Sequence, residues 1–289
     1  MTISTENVPS RLRERSGKER PARELVVEAF FGPLATLAVR ALLPLRVPPP
    51  AVVLANAAAG FLAALALVGG ELILAALLLQ LKTLLDNADG QLARVAGRVS
   101  LVGRYLDTEA DLVVNAALFS ALGATTGMPW LALAAFCALT LVLSTSFNMA
   151  ELHREVRRET TERPQASGGR SERALALVYS AVFAPQDRVM RSFSSRRLKR
   201  VLAGERDVER TRAATLAYTD RFTVTALANL GLSTQLVMLG VCQALGEPAT
   251  YLWFALACGL MLPVLQLRRE RVARNTLRLE APVTPRRAA

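Results

Sequence analysis

Four aspartates, Asp86, Asp89, Asp107 and Asp111, fall in one short segment, LDNADGQLARVAGRVSLVGRYLDTEAD. Long apolar runs flank it, and carboxylates are expensive in such surroundings. At about 100° per residue, Asp86 and Asp89 share one helix face, and Asp107 and Asp111 share another. Two such helices facing each other would gather four carboxylates. Left alone the cluster would repel itself. Around hard cations it becomes an oxygen site for two ions such as Mg²⁺, with Mn²⁺ a possible substitute.

The small residues suit a ligand that approaches closely. Gly90 follows Asp89, Ala93 lies one turn beyond Asp89 on its face, and Gly103 lies one turn before Asp107. Arg94, fixed in charge, can pair with a carboxylate or with a phosphate.

In this frame, Asp86, Asp89-Gly90, Ala93-Arg94, Gly103, Asp107 and Asp111, the segment resembles the CDP-alcohol phosphatidyltransferases, meeting their pattern at every position and spacing. The resemblance implies an integral membrane enzyme of phospholipid biosynthesis. Such an enzyme moves a phosphatidyl group from a CDP-linked donor, CDP-diacylglycerol first among them, to an acceptor hydroxyl and releases CMP. It further implies Asp86, Asp89, Asp107 and Asp111 as ligands of two divalent metals, and Asp111 also as general base. Gly90, Ala93, Arg94 and Gly103 carry over as nucleotide-contacting or close-packing positions. A homodimer is implied by family likeness alone. The entrance to the first helix departs from many members: Ala51 follows Pro50, and Leu54 stands where Thr is common.

Composition agrees with a membrane setting. The chain is 52% hydrophobic with a formal charge of +11, a mean hydropathy of +0.30 and a pI near 10.6. Charge and apolar residues are segregated into blocks. No basic stripe carries interleaved aromatics, so nucleic acid is a poor partner, and anionic lipid headgroups are a better one. Cys137, Cys242 and Cys258 lie in apolar runs without CxxC spacing and read as packing residues. The first 25 residues are polar and show no signal-peptide core.

The expected architecture is all-α: a polytopic bundle of six transmembrane helices preceded by an interfacial helix. Residues 1–25 read as a disordered cytoplasmic tail and 26–46 as a juxtamembrane helix along the membrane surface. Residues 47–150 hold four spans and the aspartates, 151–221 form a cytoplasmic linker, 222–268 hold two more spans, and 269–289 form a tail. The apolar runs are 51–68, 72–85, 100–122, 130–147, 222–245 and 251–267, most of them near the length that crosses a ~30 Å hydrocarbon core. The turns at 69–71, 123–129 and 246–250 contain no Lys or Arg, whereas Arg94, Arg98, Arg104, the linker and Arg268, Arg269, Arg271 and Arg274 fall on the other side. The positive-inside rule then places both termini and the aspartates at the cytoplasmic face of the cell's inner membrane, with Trp130, Tyr251 and Trp253 at the outer boundary.

Within the linker, 164–169 reads as flexible and 173–200 as helical, part of it lying on the membrane or capping the site. Its Arg188, Arg191, Arg196, Arg197 and Lys199 offer cations to a phosphorylated acceptor such as inositol phosphate or glycerol 3-phosphate, or else form a solvated basic face. Lys82, one turn before Asp86, reads as a partner of Asp86 or as a snorkelling residue, with phosphate contact the lesser alternative. His153, with no second histidine, is a poor metal ligand. Asn115 either bonds within the bundle or lines the pocket. Other functions have different signatures. A CDP-choline or CDP-ethanolamine phosphotransferase would share the motif. An intramembrane prenyltransferase would not need the Asp-Gly and Ala-Arg pairs, and a cation transporter would spread acidic residues over several helices.

Overall fold

The computed structural model describes residues 22–159 and 168–279, and these are helical apart from short turns. Residues 1–21 of the tail expected over 1–25, most of the flexible linker and the end of the C-terminal tail lie outside the described residues. A π-helical turn, Val27–Phe31, leads into α1 (Gly32–Leu42). Then come α2 (Pro49–Val68), α3 (Leu72–Val95), α4 (Leu101–Thr126) and α5 (Pro129–Arg157). The remainder is α6 (Arg170–Val201), α7 (Val208–Tyr218), α8 (Arg221–Asn229), α9 (Leu232–Ala244) and α10 (Pro248–Leu279).

Among the described residues, four stretches are long and apolar enough to cross a membrane: α2, α5, the run Val208–Ala244 and α10. Helices α3 and α4, at 24 and 26 residues, have the length. Their composition differs because they carry Lys82, Asp86 and Asp89, and Arg104, Asp107, Glu109 and Asp111. The helix expected over 222–245 is broken between α8 and α9, where Gly231 takes an extended conformation as the N-cap of α9. Helix α5 runs ten residues beyond the expected 147, and α10 continues to Leu279 where a tail was expected from 269.

A large apolar core joins α2, α3, α4, α5, α9 and α10 through Leu67, Leu79, Leu118, Leu122, Leu139, Leu239 and Leu252. Tyr251 belongs to it. It is 1% exposed and packs against Phe119 and Phe254, so it is a core residue and not the boundary anchor its position suggested. Trp130 and Trp253 remain outside, at 81% and 60% exposed. A second cluster seats α1 on α3 through Ala35, Val39, Ala88 and Leu92, and Thr36 Oγ1 adds a bond to Gln91 Oε1 at 3.0 Å.

The hairpin between α3 and α4 sets the site. Gly97 takes φ 64, a left-handed conformation that costs glycine nothing. Ser100 caps α4 by accepting from the Gly103 amide at 3.1 Å. The chain therefore reverses within a few residues, and with α2 packed against both helices the acidic N-terminal part of α4 comes to face the acidic C-terminal part of α3.

His153 ties α5 to the corner between α7 and α8. It is fully buried, and its Nδ1 donates to the Thr219 carbonyl at 2.7 Å. Burial pushes the ring below its ordinary value of 6.5, so the folded protein holds it neutral where the unfolded chain takes up a proton. Stability should therefore be flat above that value and fall as pH drops through it. Thermal unfolding across pH in detergent tests this: His153→Asn, which keeps a donor, should lose part of the acid-side slope, and an unchanged slope would rule His153 out.

Candidate active site

Helices α3 and α4 bring carboxylate oxygens of Asp86, Asp89 and Asp107 within 4.8 Å of one another. Asp89 Oδ2 and Asp107 Oδ1 are buried and have no hydrogen-bond partner among the described residues. A buried carboxylate oxygen left unsatisfied is costly, and two at one convergence point fit a divalent cation, which takes oxygen ligands of this kind. The donor set therefore fits a hard metal ion.

Asp111, one turn further along α4, is tied elsewhere. Its Oδ1 accepts from Lys82 Nζ at 2.6 Å. Lys82 is 0% exposed and also donates to Asn56 Oδ1 at 3.1 Å; Asn56 Nδ2 in turn donates to Asp86 Oδ1 at 3.4 Å. The expectation that Lys82 snorkels is thus corrected: its hydrogen-bonded carboxylate is Asp111, with Asp86 a second negative charge nearby. The lysine reaches inward, past α2, to Asp111. The reason is steric. A Cβ at Gly60 would stand 3.0 Å from Lys82 Cδ and against Val114, so the missing side chain of α2 opens the slot through which the lysine passes. Gly60→Ala should therefore cost about 1–3 kcal/mol by overpacking and lower turnover by displacing Lys82. Denaturation midpoint and turnover, measured side by side, check it.

The carboxylates open onto a cavity of about 450 Å³ that also takes in Gly90, Arg94, Asp111 and Asn115. Ala93 and Gly103 are not part of its lining; the Gly103 position packs against Ser100 Oγ. A Cβ at Gly90 would stand 3.3 Å from an Arg94 guanidinium nitrogen, so that glycine keeps space around the arginine.

The opposite wall comes from α5 and α6. Helix α6 contributes Tyr179, Phe183, Gln186 and Asp187. It is latched to α5 by Asn148 Nδ2 donating to Asp187 Oδ1 at 2.9 Å, and within α6 Tyr179 Oη donates to the other oxygen, Asp187 Oδ2, at 3.1 Å. Tyr179 also packs on Tyr105 of α4, with ring centroids 5.0 Å apart. The basic residues of α6 point away from the cavity: Arg191 pairs with Glu155 and Arg197 with Glu270. The arginines that line it are Arg94 and Arg104, the latter held 5.5 Å above the Phe147 ring.

The family model of the CDP-alcohol phosphatidyltransferases matches residues 46–194. The chain belongs to that family. No curated relative and no solved structure matches the chain. As a CDP-alcohol phosphatidyltransferase it is a transferase of substituted phosphate groups, acting on a CDP-alcohol donor and an alcohol acceptor in a membrane. The family is generally dependent on divalent metal, and an acidic cluster is present in this phosphatidyltransferase. The matched region runs from the start of α2 into α6, so it takes in both walls of the cavity.

Asn56 was not read from the sequence, and for α6 capping of the site was one of two alternatives without the residues that do it. Asn56 had a signal, since an amide inside an Ala-rich apolar helix is expensive unless bonded. The residues of α6 had none, because nothing local says which face of that helix meets α4.

Proposed function

We propose that this protein transfers a phosphatidyl group from CDP-diacylglycerol to a hydroxyl of a small phosphorylated polyol, of the glycerol 3-phosphate or inositol phosphate kind, and releases CMP. The observation that carries the reading is the meeting of Asp86, Asp89 and Asp107 at one end of a cavity that also holds Asp111, Arg94 and Arg104.

In this reading Asp86, Asp89 and Asp107 would hold two divalent cations, Mg²⁺ or Mn²⁺, with Asp111 as a further ligand of the second. Bound there, such ions neutralise the diphosphate of the donor. Asp111 has one oxygen bonded to Lys82; the other would be contested between the second cation and the acceptor, whose hydroxyl proton it takes. The acceptor oxygen bonds to the phosphorus nearer the lipid, the bridging P–O bond breaks, and CMP leaves with the electron pair. Arg94 faces the nucleotide phosphates. Arg104 meets the acceptor phosphate, a role the cavity lining favours over the arginines of α6.

The same reading takes α3 and α4 as spans alongside the four more apolar stretches, six in all, with the aspartates and both termini at the cytoplasmic face of the inner membrane. Residues 26–46 lie along the surface, which suits the exposure of Phe30, Leu34, Leu37 and Leu45. The working unit is a homodimer, by family likeness.

The test is CMP release from labelled CDP-diacylglycerol by purified protein with Mg²⁺ and a panel of alcohols. Turnover should need glycerol 3-phosphate or an inositol phosphate, stop with EDTA, and fall roughly 10³-fold in Asp111→Asn. Turnover with serine alone, or only with CDP-choline and diacylglycerol, would reassign the substrates. Full activity in Asp111→Asn would remove the base.

A further inference from the structure

Helix α6 walls the cavity with one face, while a second face is left open by the described residues. Val178, Val182, Val189 and Phe193 are 46%, 45%, 61% and 49% exposed, and they fall on one stripe of the helix. Leu177 beside them is 71% exposed. Its placement against the neighbouring helices says what covers this stripe. Gln186 Nε2 donates to the Thr140 carbonyl of α5 at 3.4 Å, and Thr145 Oγ1 to Met190 Sδ at 3.7 Å. Thr140 lies about 10 Å of helix rise inside the apolar part of α5, which ends near Phe147. The middle of α6 is therefore level with apolar turns of a helix that crosses the bilayer.

Charge divides the helix at the same place. Residues 174–184 carry none. Beyond Asp187 come Arg188, Arg191, Arg196, Arg197, Lys199 and Arg200, with no carboxylate among them. Arg188, Arg196, Lys199 and Arg200 are exposed and form no ion pair with the described residues.

We propose that α6 is inserted into the inner leaflet as the lipid-side wall of the catalytic cavity. Residues 174–185 lie among acyl chains, and the basic half from Arg188 lies among anionic headgroups. Continuity with the apolar surface of α5, and the match between free cations and anionic lipid, single out the bilayer as occupant. A donor with acyl chains then reaches the cavity without leaving the leaflet. The inference rests on the reading above that α4 spans the membrane with its aspartates at the cytoplasmic end.

The experiment places a nitroxide on cysteines introduced at Val178, Val182 and Arg200, with Val113 on the outer face of α4 as reference. The full chain, its three native cysteines replaced, is reconstituted in phosphatidylcholine–phosphatidylglycerol vesicles. Broadening by oxygen should exceed broadening by a water-soluble nickel chelate at 178 and 182, as at 113, and the order should reverse at 200. Nickel reaching 178 and 182 as readily as 200 overturns the proposal. So does exclusion of both reagents with spin–spin broadening, the mark of a second copy on this face. Nickel access at 113 as well overturns the spanning assignment of α4 beneath it. Where replacing the native cysteines perturbs the fold, Val182→Trp in a chain that keeps its cysteines and carries Trp130→Phe and Trp253→Phe gives the same answer: quenching by acyl-brominated lipid supports insertion, and quenching by aqueous iodide instead overturns it.

Discussion

Asp107→Asn is expected to lower CMP release roughly 10³-fold or more and, in the absence of divalent metal, to make the protein harder to unfold. Both effects have one cause. Asp86, Asp89 and Asp107 place oxygens within 4.8 Å of one another, and Asp107 Oδ1 is buried without a hydrogen-bond partner among the described residues. Like charges so placed cost on the order of a few kcal/mol in an environment of intermediate polarity, a cost that a bound cation would offset under the proposed function. Removing one charge relieves the repulsion, so the metal-free variant should melt at least about 2 °C higher than wild type. Wild type should gain stability when Mg²⁺ or Mn²⁺ is added, and the variant should gain much less. Thermal melts in detergent with and without metal, run beside the CMP assay, decide it. A variant that keeps the full metal-induced gain would show that the cluster is not the metal site.

Lys82→Met should do the opposite to stability. The lysine is enclosed between Asp111, at 2.6 Å, and Asn56, at 3.1 Å. Taking away one partner of a buried pair leaves the other unpaired, which costs about 3–5 kcal/mol. Activity should fall roughly 10²-fold as well, because Asp111 would lose the contact that orients it beside the acceptor, and small displacements at reacting groups are costly. The double variant Lys82→Met with Asp111→Asn should recover most of the lost stability, since no buried charge is then left alone, yet stay inactive. Unfolding midpoints for the two singles and the double form a cycle. Strict additivity would mean that the pair is not coupled.

The acidic site was legible to the extent that its spacing is local. Asp86 and Asp89 sit three residues apart on α3, and the short connection through Gly97 forces α4 to return beside it, so Asp107 has to arrive close by. Lys82 was not legible in the same way. Helical period puts it under Asp86, but its long side chain follows the slot left by Gly60 on α2, a helix more than twenty residues upstream. Tyr251 shows the same limit. Its place at a span's edge reads as an interfacial anchor, while the convergence of α4 and α10 puts its ring against Phe119. The arginines of α6 were legible as a basic face. That the cavity receives Tyr179, Phe183 and Asp187 from that helix, and not the arginines, depends on how α6 rolls against α4 and α5.

From its amino acids alone, then, this protein determined an all-helical chain with a membrane composition, and an acidic motif whose frame names a family and a chemistry. These are properties of residue type and short spacing, which the helical period converts directly into faces. The tertiary structure alone decided which three carboxylates converge, that the fourth is held by a buried lysine, and that a charged helix outside the motif closes the cavity. Those depend on crossings between helices far apart in sequence, where the roll of a helix about its axis selects the face that is buried, and no local pattern encodes that roll.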